Sequence, residues 1–318
     1  MLAALLVVML GGLVDELTKR DSMAPERNAA APKLLPPVGS ALGGAPGGTD
    51  EHARFALNFR EPDVVRLRFK RKPRSGLLFD VRTGRVLWRD EPDRKLAIAS
   101  LTKMMTALIV VEKDDPNDRV MITKQAVTTA GSGVGVLPKG KRVQLEALLN
   151  GLLLVSGNDA AVALAQHTAG SVGAFVRVMN RRAKELGLSC SHFTSPHGLI
   201  DRDNYSCATD LATLARADLA QRRILLITRR SRAIVRFPIK GGKLFLYNNN
   251  PLIRAHYRGI TGLKTGYTDK SGRSIVATAK RGRSEIGVVL LHSYDPATQA
   301  RKLLDRGFVA ERRLLRGG

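Results

Sequence analysis

Three short groups of residues in this chain have the types and spacing for acyl-transfer chemistry. Ser100 and Lys103 stand three apart in Ser100-Leu101-Thr102-Lys103, at the head of a segment, Leu101–Lys113, that is apolar around most of its circumference. Helical spacing puts residues three apart on one face, so the Lys103 amine is within reach of the Ser100 hydroxyl. A serine hydroxyl is a poor nucleophile until a base takes its proton. Lysine is such a base only when neutral, which at pH 7 costs roughly 4–5 kcal/mol from a reference pKa of about 10.4. Burial and a second nearby cation both lower that cost. Ser156-Gly157-Asn158, between two helical patterns, adds a hydroxyl able to relay a proton and an amide able to hold a substrate carbonyl. Lys264-Thr265-Gly266 ends a predicted strand in GITGLKTGYT. A cation beside a hydroxyl suits a terminal carboxylate, and Gly266 lets a peptide lie against the strand edge. Each group alone is common: Ser-x-x-Lys usually just starts a helix, and Ser-Gly-Asn is usually a turn. Their order on helix, loop and strand carries the information.

The elements that must hold these groups can be read from periodicity. GLLFDVRTGRVLWRD, from Gly76, reads as a hairpin turning at Arg82-Thr83-Gly84. Helical patterns follow over Leu101–Lys113, Gln144–Val155, Asp159–Thr168, Phe175–Leu186 (closed by Gly187) and Asp210–Ala217. Strand patterns return at Lys243–Tyr247, Ile260–Lys264, Ser274–Ala279 and Glu285–Leu291, before a last helix over Ala297–Leu304. The fold class is therefore α/β in the mixed, α+β sense: one central mixed sheet built from both chain ends, with a helical block inserted. Residues 76–309 form the catalytic domain. Residues 21–75, rich in Ala, Pro and Gly and then basic (REPDVVRLRFKRKPR), read as linker, and 310–318 as a basic tail. Residues 2–14 (LAALLVVMLGGLV) are apolar without a break, shorter than the about 20 residues of a spanning helix. Residues 1–20 are expected to be a signal or membrane-anchor segment, although no Lys or Arg precedes the run and the small-residue sites, Ser22-Met23-Ala24 and Ala29-Ala30-Ala31, come late.

Charge and rare residues narrow the partners. Of 318 residues, 52 are Lys or Arg against 28 Asp or Glu, a net +24. Residues 222–243 carry eight basic side chains and no acid, and residues 301–318 six against two. Such a balance attracts polyanions. With no zinc-finger spacing and 5% aromatics, nucleic acid is not expected; anionic membrane or wall polymers are the candidates, beside a merely solvated basic surface. The six histidines, His52, His167, His192, His197, His256 and His292, form no H-x-H or H-E-x-x-H, so no metal is expected. Cys190 and Cys207 flank SHFTSPHGLIDRDNYS, which carries reversal signals at Ser195-Pro196-His197-Gly198 and around Asp201–Asn204. If the chain doubles back near Gly198–Leu199, opposed positions sum to about 397, as 190 and 207 do, which puts a disulfide within reach; the alternative is two buried thiols.

The set Ser-x-x-Lys, Ser-x-Asn and Lys-Thr-Gly resembles that of penicillin-binding proteins and serine β-lactamases. Segment by segment, ASLTKMMTAL, LLNGLLLVSGNDAA, FTSPHGL, YSCATDLATLA and GLKTGYT resemble the low-molecular-mass D-alanyl-D-alanine carboxypeptidases, over about residues 76–309. The resemblance implies a β-lactamase/transpeptidase-like fold. It implies a serine D,D-carboxypeptidase that takes the terminal D-Ala from peptidoglycan stem peptides through an acyl-enzyme, is inhibited by β-lactam antibiotics, needs no cofactor and works in the cell envelope. On the matching positions, Ser100 is the nucleophile, Lys103 its proton acceptor and Ser156 part of the relay. Asn158, Lys264, Thr265 and Gly266 hold substrate. The backbone N–H groups of Ser100 and Tyr267 form the oxyanion hole; the family often has His at the latter position, but only the backbone is needed. D,D-endopeptidases share the site, so that alternative stays open. Glu146 in EALLN resembles the deacylating glutamate of class A β-lactamases but precedes the Ser156 group instead of following it, and reads as a solvated helix residue. A β-lactamase, a zinc peptidase and a non-catalytic wall-binding module are the rival readings; the last would tolerate loss of Ser100 or Lys103, yet both are present. Many relatives add a second β-rich domain and a C-terminal amphipathic anchor helix; with only VAERRLLRGG after Phe308, neither is expected within this chain.

Overall fold

The structure, a computed structural model, describes residues 49–199 and 202–317. The apolar run at 2–14, the Ala/Pro/Gly-rich stretch up to residue 48, and Asp201 of the expected reversal lie outside the described residues. Among those described, no helix is long and apolar enough to cross a membrane.

Five strands form the central sheet: β1 (Ser75–Asp80), β2 (Val86–Asp90), β5 (Ile260–Thr268), β6 (Gly272–Arg281) and β7 (Ser284–Ser293). Their order is β2-β1-β7-β6-β5, so the two chain ends meet where β1 pairs β7. The expected origin of the sheet from both ends holds, but every neighbouring pair is antiparallel, where a mixed sheet was expected. The alternation of side chains along a strand serves two cores. Leu77, Phe79, Val276, Val289 and Leu291 face one; Leu78, Ile275, Ala277, Ile286, Val288 and Leu290 face the other. Because both faces are covered, the strands read as continuous apolar runs.

The first core is roofed by the helical block. It comprises α2 (Lys103–Lys113), α3 (Leu145–Leu154), α4 (Asn158–Ala169), α5 (Val172–Glu185), α6 (Ala208–Ala220) and α7 (Arg222–Thr228). α2 is central: Met104, Met105, Leu108 and Ile109 are all buried, as its all-round apolar pattern requires. A separate antiparallel ribbon, β3 (Arg232–Arg236) with β4 (Lys243–Tyr247), projects beside it.

The second core is covered by α8 (Pro296–Gly317), through Ala300, Leu303, Leu304 and Phe308. The helix was expected to stop at Leu304 and give way to a basic tail. It continues because Gly307 is no terminator: a Cβ there would stand 3.0 Å from Ile286 Cγ2, so glycine lets the helix lie close on β7. The expected linker is also revised. Residues 49–74 pack against the domain, beginning with α1 (Thr49–Phe55). Val65 N–H donates to Leu87 O (2.9 Å) and Trp88 Nε1 to Leu67 O (3.3 Å). Val65, Leu67 and Phe69 face the second core while Arg66, Arg68 and Lys70 alternate outward, the period of a half-buried extended segment.

Candidate active site

Ser100 sits on a 3-10 turn, Ala99–Thr102, that feeds straight into α2. Ala99 has φ 46° and Ser156 φ 65°, left-handed conformations that non-glycine residues adopt at a cost. The two strained positions stand beside the nucleophile and at the proposed relay hydroxyl.

Lys103 is fully buried. Its Nζ lies 2.8 Å from Ser100 Oγ, 2.7 Å from Asn158 Oδ1 and 2.8 Å from the His197 carbonyl oxygen. Among the described residues no carboxylate lies within ion-pair distance of it. Burial, and next the charge of Lys264, hold its pKa well below the usual lysine range, with Asp159 pulling weakly the other way. Burial and a neighbouring cation both favour the neutral amine, the form that can act as a base.

The SPHG reversal supplies the third partner. His192 and Tyr205 exchange both backbone hydrogen bonds (2.9 and 3.0 Å), and their positions also sum to 397. The Cys190–Cys207 disulfide closes this hairpin, with Cα atoms 6.0 Å apart. Burial, then the Lys103 charge, pull the His197 ring down to about 4, so the imidazole is neutral and it is the backbone carbonyl that meets the lysine.

The cleft above these groups holds about 300 Å³ and is walled by Ser100, Ser156, Thr265, Gly266 and Tyr267 among the residues expected from sequence. Ser156 Oγ is buried and finds no hydrogen-bond partner among the described residues. Asn158 and Lys264, expected on the substrate side, lie behind the wall, each 2% exposed. The Asn158 carboxamide accepts from Lys103 and donates to Ala130 O (2.7 Å). Lys264 Nζ donates to Thr265 O (2.9 Å), and burial lowers it to about 7. Gly266 also differs in its reason: a Cβ there would meet Ile98 O at 2.8 Å and Leu101, so glycine lets β5 close on the 3-10 turn rather than making room for a peptide. Glu146 does not line the cleft and pairs with Arg223 (2.9 Å).

Among the cleft residues that went unanticipated are Ser132, Asn249 and Arg273. Ser132 rides a glycine-rich loop, GSGVG, fastened from the Ser156-Gly157-Asn158 turn. Asn158 N–H donates to Ser132 O (2.7 Å), and Val134 and Gly135 donate to Asp159 (2.9 Å each). Asn249 is brought in by its N–H to Leu154 O (3.0 Å). Arg273 stands on β6 opposite Tyr267, exposed, with no carboxylate at ion-pair distance among the described residues. The glycine-rich loop was a visible signal; the other two depend on pairings that sequence spacing does not give.

Comparisons with known proteins show which family the chain resembles. The pattern of the family described as D-alanyl-D-alanine carboxypeptidase matches residues 67–294. D-alanyl-D-alanine carboxypeptidase DacF of Bacillus subtilis is 35% identical over 243 residues, 74% of this chain and 62% of that protein. DacC of Escherichia coli is 34% identical over 257 residues, 74% and 61% respectively. The chain thus spans about three-fifths of the length of these curated relatives. A mutant of the Streptomyces K15 DD-transpeptidase superposes with a TM-score of 0.71 at 27% identity, covering 76% of this chain and all of that one.

Proposed function

The chain belongs to the D-alanyl-D-alanine carboxypeptidase family, and we propose that it removes the terminal D-alanine from peptidoglycan stem peptides through an acyl-enzyme on Ser100. One observation carries the reading: a wholly buried Lys103 amine, free of any carboxylate partner among the described residues, 2.8 Å from a hydroxyl on the wall of a cleft.

Neutral Lys103 takes the Ser100 proton as Oγ attacks the D-Ala carbonyl. The oxyanion is met by the backbone N–H groups of Ser100 and Tyr267, a device typically worth about 3–4 kcal/mol. The proton passes from Lys103 through Ser156 Oγ to the departing D-alanine nitrogen, and the C–N bond breaks. Water then attacks the ester with the same base, returning Ser100. Asn158 acts by fixing Lys103, and Lys264 as the buried second cation that keeps Lys103 from holding its proton. Thr265, with the exposed Arg273 in place of Lys264, receives the substrate's terminal carboxylate; Arg273 is the cation on the cleft wall. β-Lactams acylate Ser100 by the same route, and their esters persist because Glu146, paired with Arg223 and not lining the cleft, does not serve water there. Envelope location and anionic envelope partners complete the proposal, supported by the family and by the +24 charge.

The test is direct. Purified full-length protein incubated with muropeptides should release one D-Ala per pentapeptide by mass spectrometry; splitting of cross-linked dimers instead would favour the endopeptidase alternative. Ser100→Ala should form no penicilloyl adduct by intact mass and release no D-Ala. An adduct on that variant refutes the assignment of the nucleophile.

A further inference from the structure

The β3–β4 ribbon presents a face that the peptidase chemistry does not use. Its inward side chains, Ala233, Leu244 and Leu246, are buried. Its outward ones form three cross-strand pairs: Arg232 with Tyr247, Ile234 with Phe245, and Arg236 with Lys243. Ile234, Phe245 and Tyr247 are 53%, 55% and 60% exposed. Water-facing pairs on such a ribbon are ordinarily polar, and like charges directly opposed, as in Arg236–Lys243, destabilise a strand pair. Both oddities resolve if the face meets an apolar layer edged with anions.

The surroundings fit that edge. From Leu219 to Thr268 the chain carries eleven Lys or Arg and no Asp or Glu. None of Arg229, Arg230, Arg232, Arg236, Lys240 and Lys243 has a carboxylate within ion-pair distance among the described residues. Beside the ribbon, Arg236 and Lys243 share a cleft of about 700 Å³ with Arg119 and Arg142, floored by Gly241 and Gly242. Four cations around one cleft, with no acid on its wall, suit a phosphate group. Tyr247 is two residues from Asn249 on the catalytic cleft, so the ribbon borders the mouth of the active site.

We infer that the outer face of β3–β4 docks this protein on an anionic phospholipid bilayer. Ile234 and Phe245 enter the interfacial layer, Tyr247 lies at headgroup depth, and Arg119, Arg142, Arg236 and Lys243 hold lipid phosphates. Apolar insertion flanked by cations is the arrangement that binds the surface of an acidic membrane without crossing it. The inference stands apart from the peptidase reading, since fluorescent-penicillin labelling reports the active site whatever the ribbon binds.

The experiment is sedimentation of the full chain with vesicles of phosphatidylglycerol and phosphatidylcholine, against phosphatidylcholine alone. Soluble polyphosphate is the third arm. Two variants are compared with wild type: Ile234→Ser/Phe245→Ser, and Arg236→Gln/Lys243→Gln. Retained penicillin labelling certifies that each is folded. Wild type should prefer the acidic vesicles, and binding should fall with salt. Each variant should weaken vesicle binding by roughly tenfold or more, and only the charge variant should lose polyphosphate. If the apolar variant binds vesicles as wild type does, or wild type prefers polyphosphate, the bilayer is the wrong partner and a phosphate-rich wall polymer takes its place. Binding that ignores lipid charge overturns the inference outright, as does a wild type that self-associates through this face.

Discussion

Lys103 is satisfied in either protonation state. Charged, its three N–H bonds meet Ser100 Oγ, Asn158 Oδ1 and the His197 carbonyl. Neutral, two N–H bonds serve the two carbonyl oxygens, which cannot donate, and the lone pair is left for the Ser100 hydroxyl. A base that exchanges a proton without moving its neighbours needs little reorganisation. Burial is the main reason the amine is depressed, and Lys264 is the next. Lys264→Gln removes only the second, so Lys103 should rise and the acid limb of penicillin acylation should move to higher pH. The effect should be largest below about 7, where Lys264 itself is charged. Acylation rate against pH checks this, and an unmoved limb removes Lys264 from that role. The same variant separates Lys264 from Arg273. A charge-assisted contact is worth about 1.5–3 kcal/mol, so Arg273→Ala should lower kcat/KM for peptides with a free C-terminal carboxylate by roughly tenfold to a hundredfold. Amidated peptides should lose much less, and Lys264→Gln should not reproduce the discrimination. At this scale the motif spacing led one to expect Lys103 against Ser100 and Ser156 beside them, and the structure places Lys103 Nζ on Ser100 Oγ and puts Ser100 and Ser156 on one cleft wall. The motifs did not reveal which side chains face the cleft, because spacing gives proximity but not the burial that turned Asn158 and Lys264 inward.

The element that completes the site is the hairpin between Cys190 and Cys207. Tyr205–Ser206 pairs with Leu96–Ala97, just before the nucleophile's turn. Thr106 Oγ1 donates to Pro196 O (2.7 Å), and Asn204 Nδ2 to Thr102 Oγ1 (2.9 Å). The strap is therefore sewn along α2, and the His197 carbonyl is aimed by it. Its reversal was legible from Pro, Gly and Asp punctuation, and so was the register that opposes the cysteines. The chain before β1 was misread because its arginines dominated the composition, although Val65, Leu67 and Phe69 alternate with them. Closing a loop of sequence separation 17 contributes about 3 kcal/mol from chain entropy. The double variant Cys190→Ser/Cys207→Ser should then melt roughly 5–10 °C below the oxidised wild type. Acylation at 25 °C should fall less steeply than stability, since the backbone pairing of His192 with Tyr205 remains. Melting temperatures equal within error would mean that the bond does not hold the hairpin.

Across the whole molecule, two cores on either face of one sheet bury nearly every apolar strand position, and this much was readable from continuous apolar runs returning at both chain ends. What no pattern announced is a carboxyl inside the first core. Asp218, near the end of α6, is 1% exposed, and neither side-chain oxygen has a hydrogen-bond partner among the described residues. Burial first, and then the charge of Glu112, raise it well above the ordinary carboxylate range. The sign follows by linkage. A carboxyl whose folded pKa is raised binds its proton more tightly in the native state, so stability is greatest below the ordinary carboxylate range and is lost as pH climbs through the folded value. His197, lowered to about 4 by burial and the Lys103 charge, acts oppositely: the native state binds that proton less tightly, and stability is lost as pH falls from about 6.5 toward 4. Between about 4 and 6.5 the two act in opposite directions and offset each other. Asp218→Asn keeps the shape and removes the ionisation. The gap between the variant and the wild type should be smallest in acid, below the ordinary carboxylate range, where the carboxyl is protonated folded and unfolded alike. Toward pH 8 the variant should become the more stable, each kcal/mol of relief appearing as about 2–4 °C in Tm. Melting curves at pH 5, 6.5 and 8 decide it. A Tm difference that stays constant with pH, or that grows toward acid, would mean that Asp218 is ionised or solvated in the native protein.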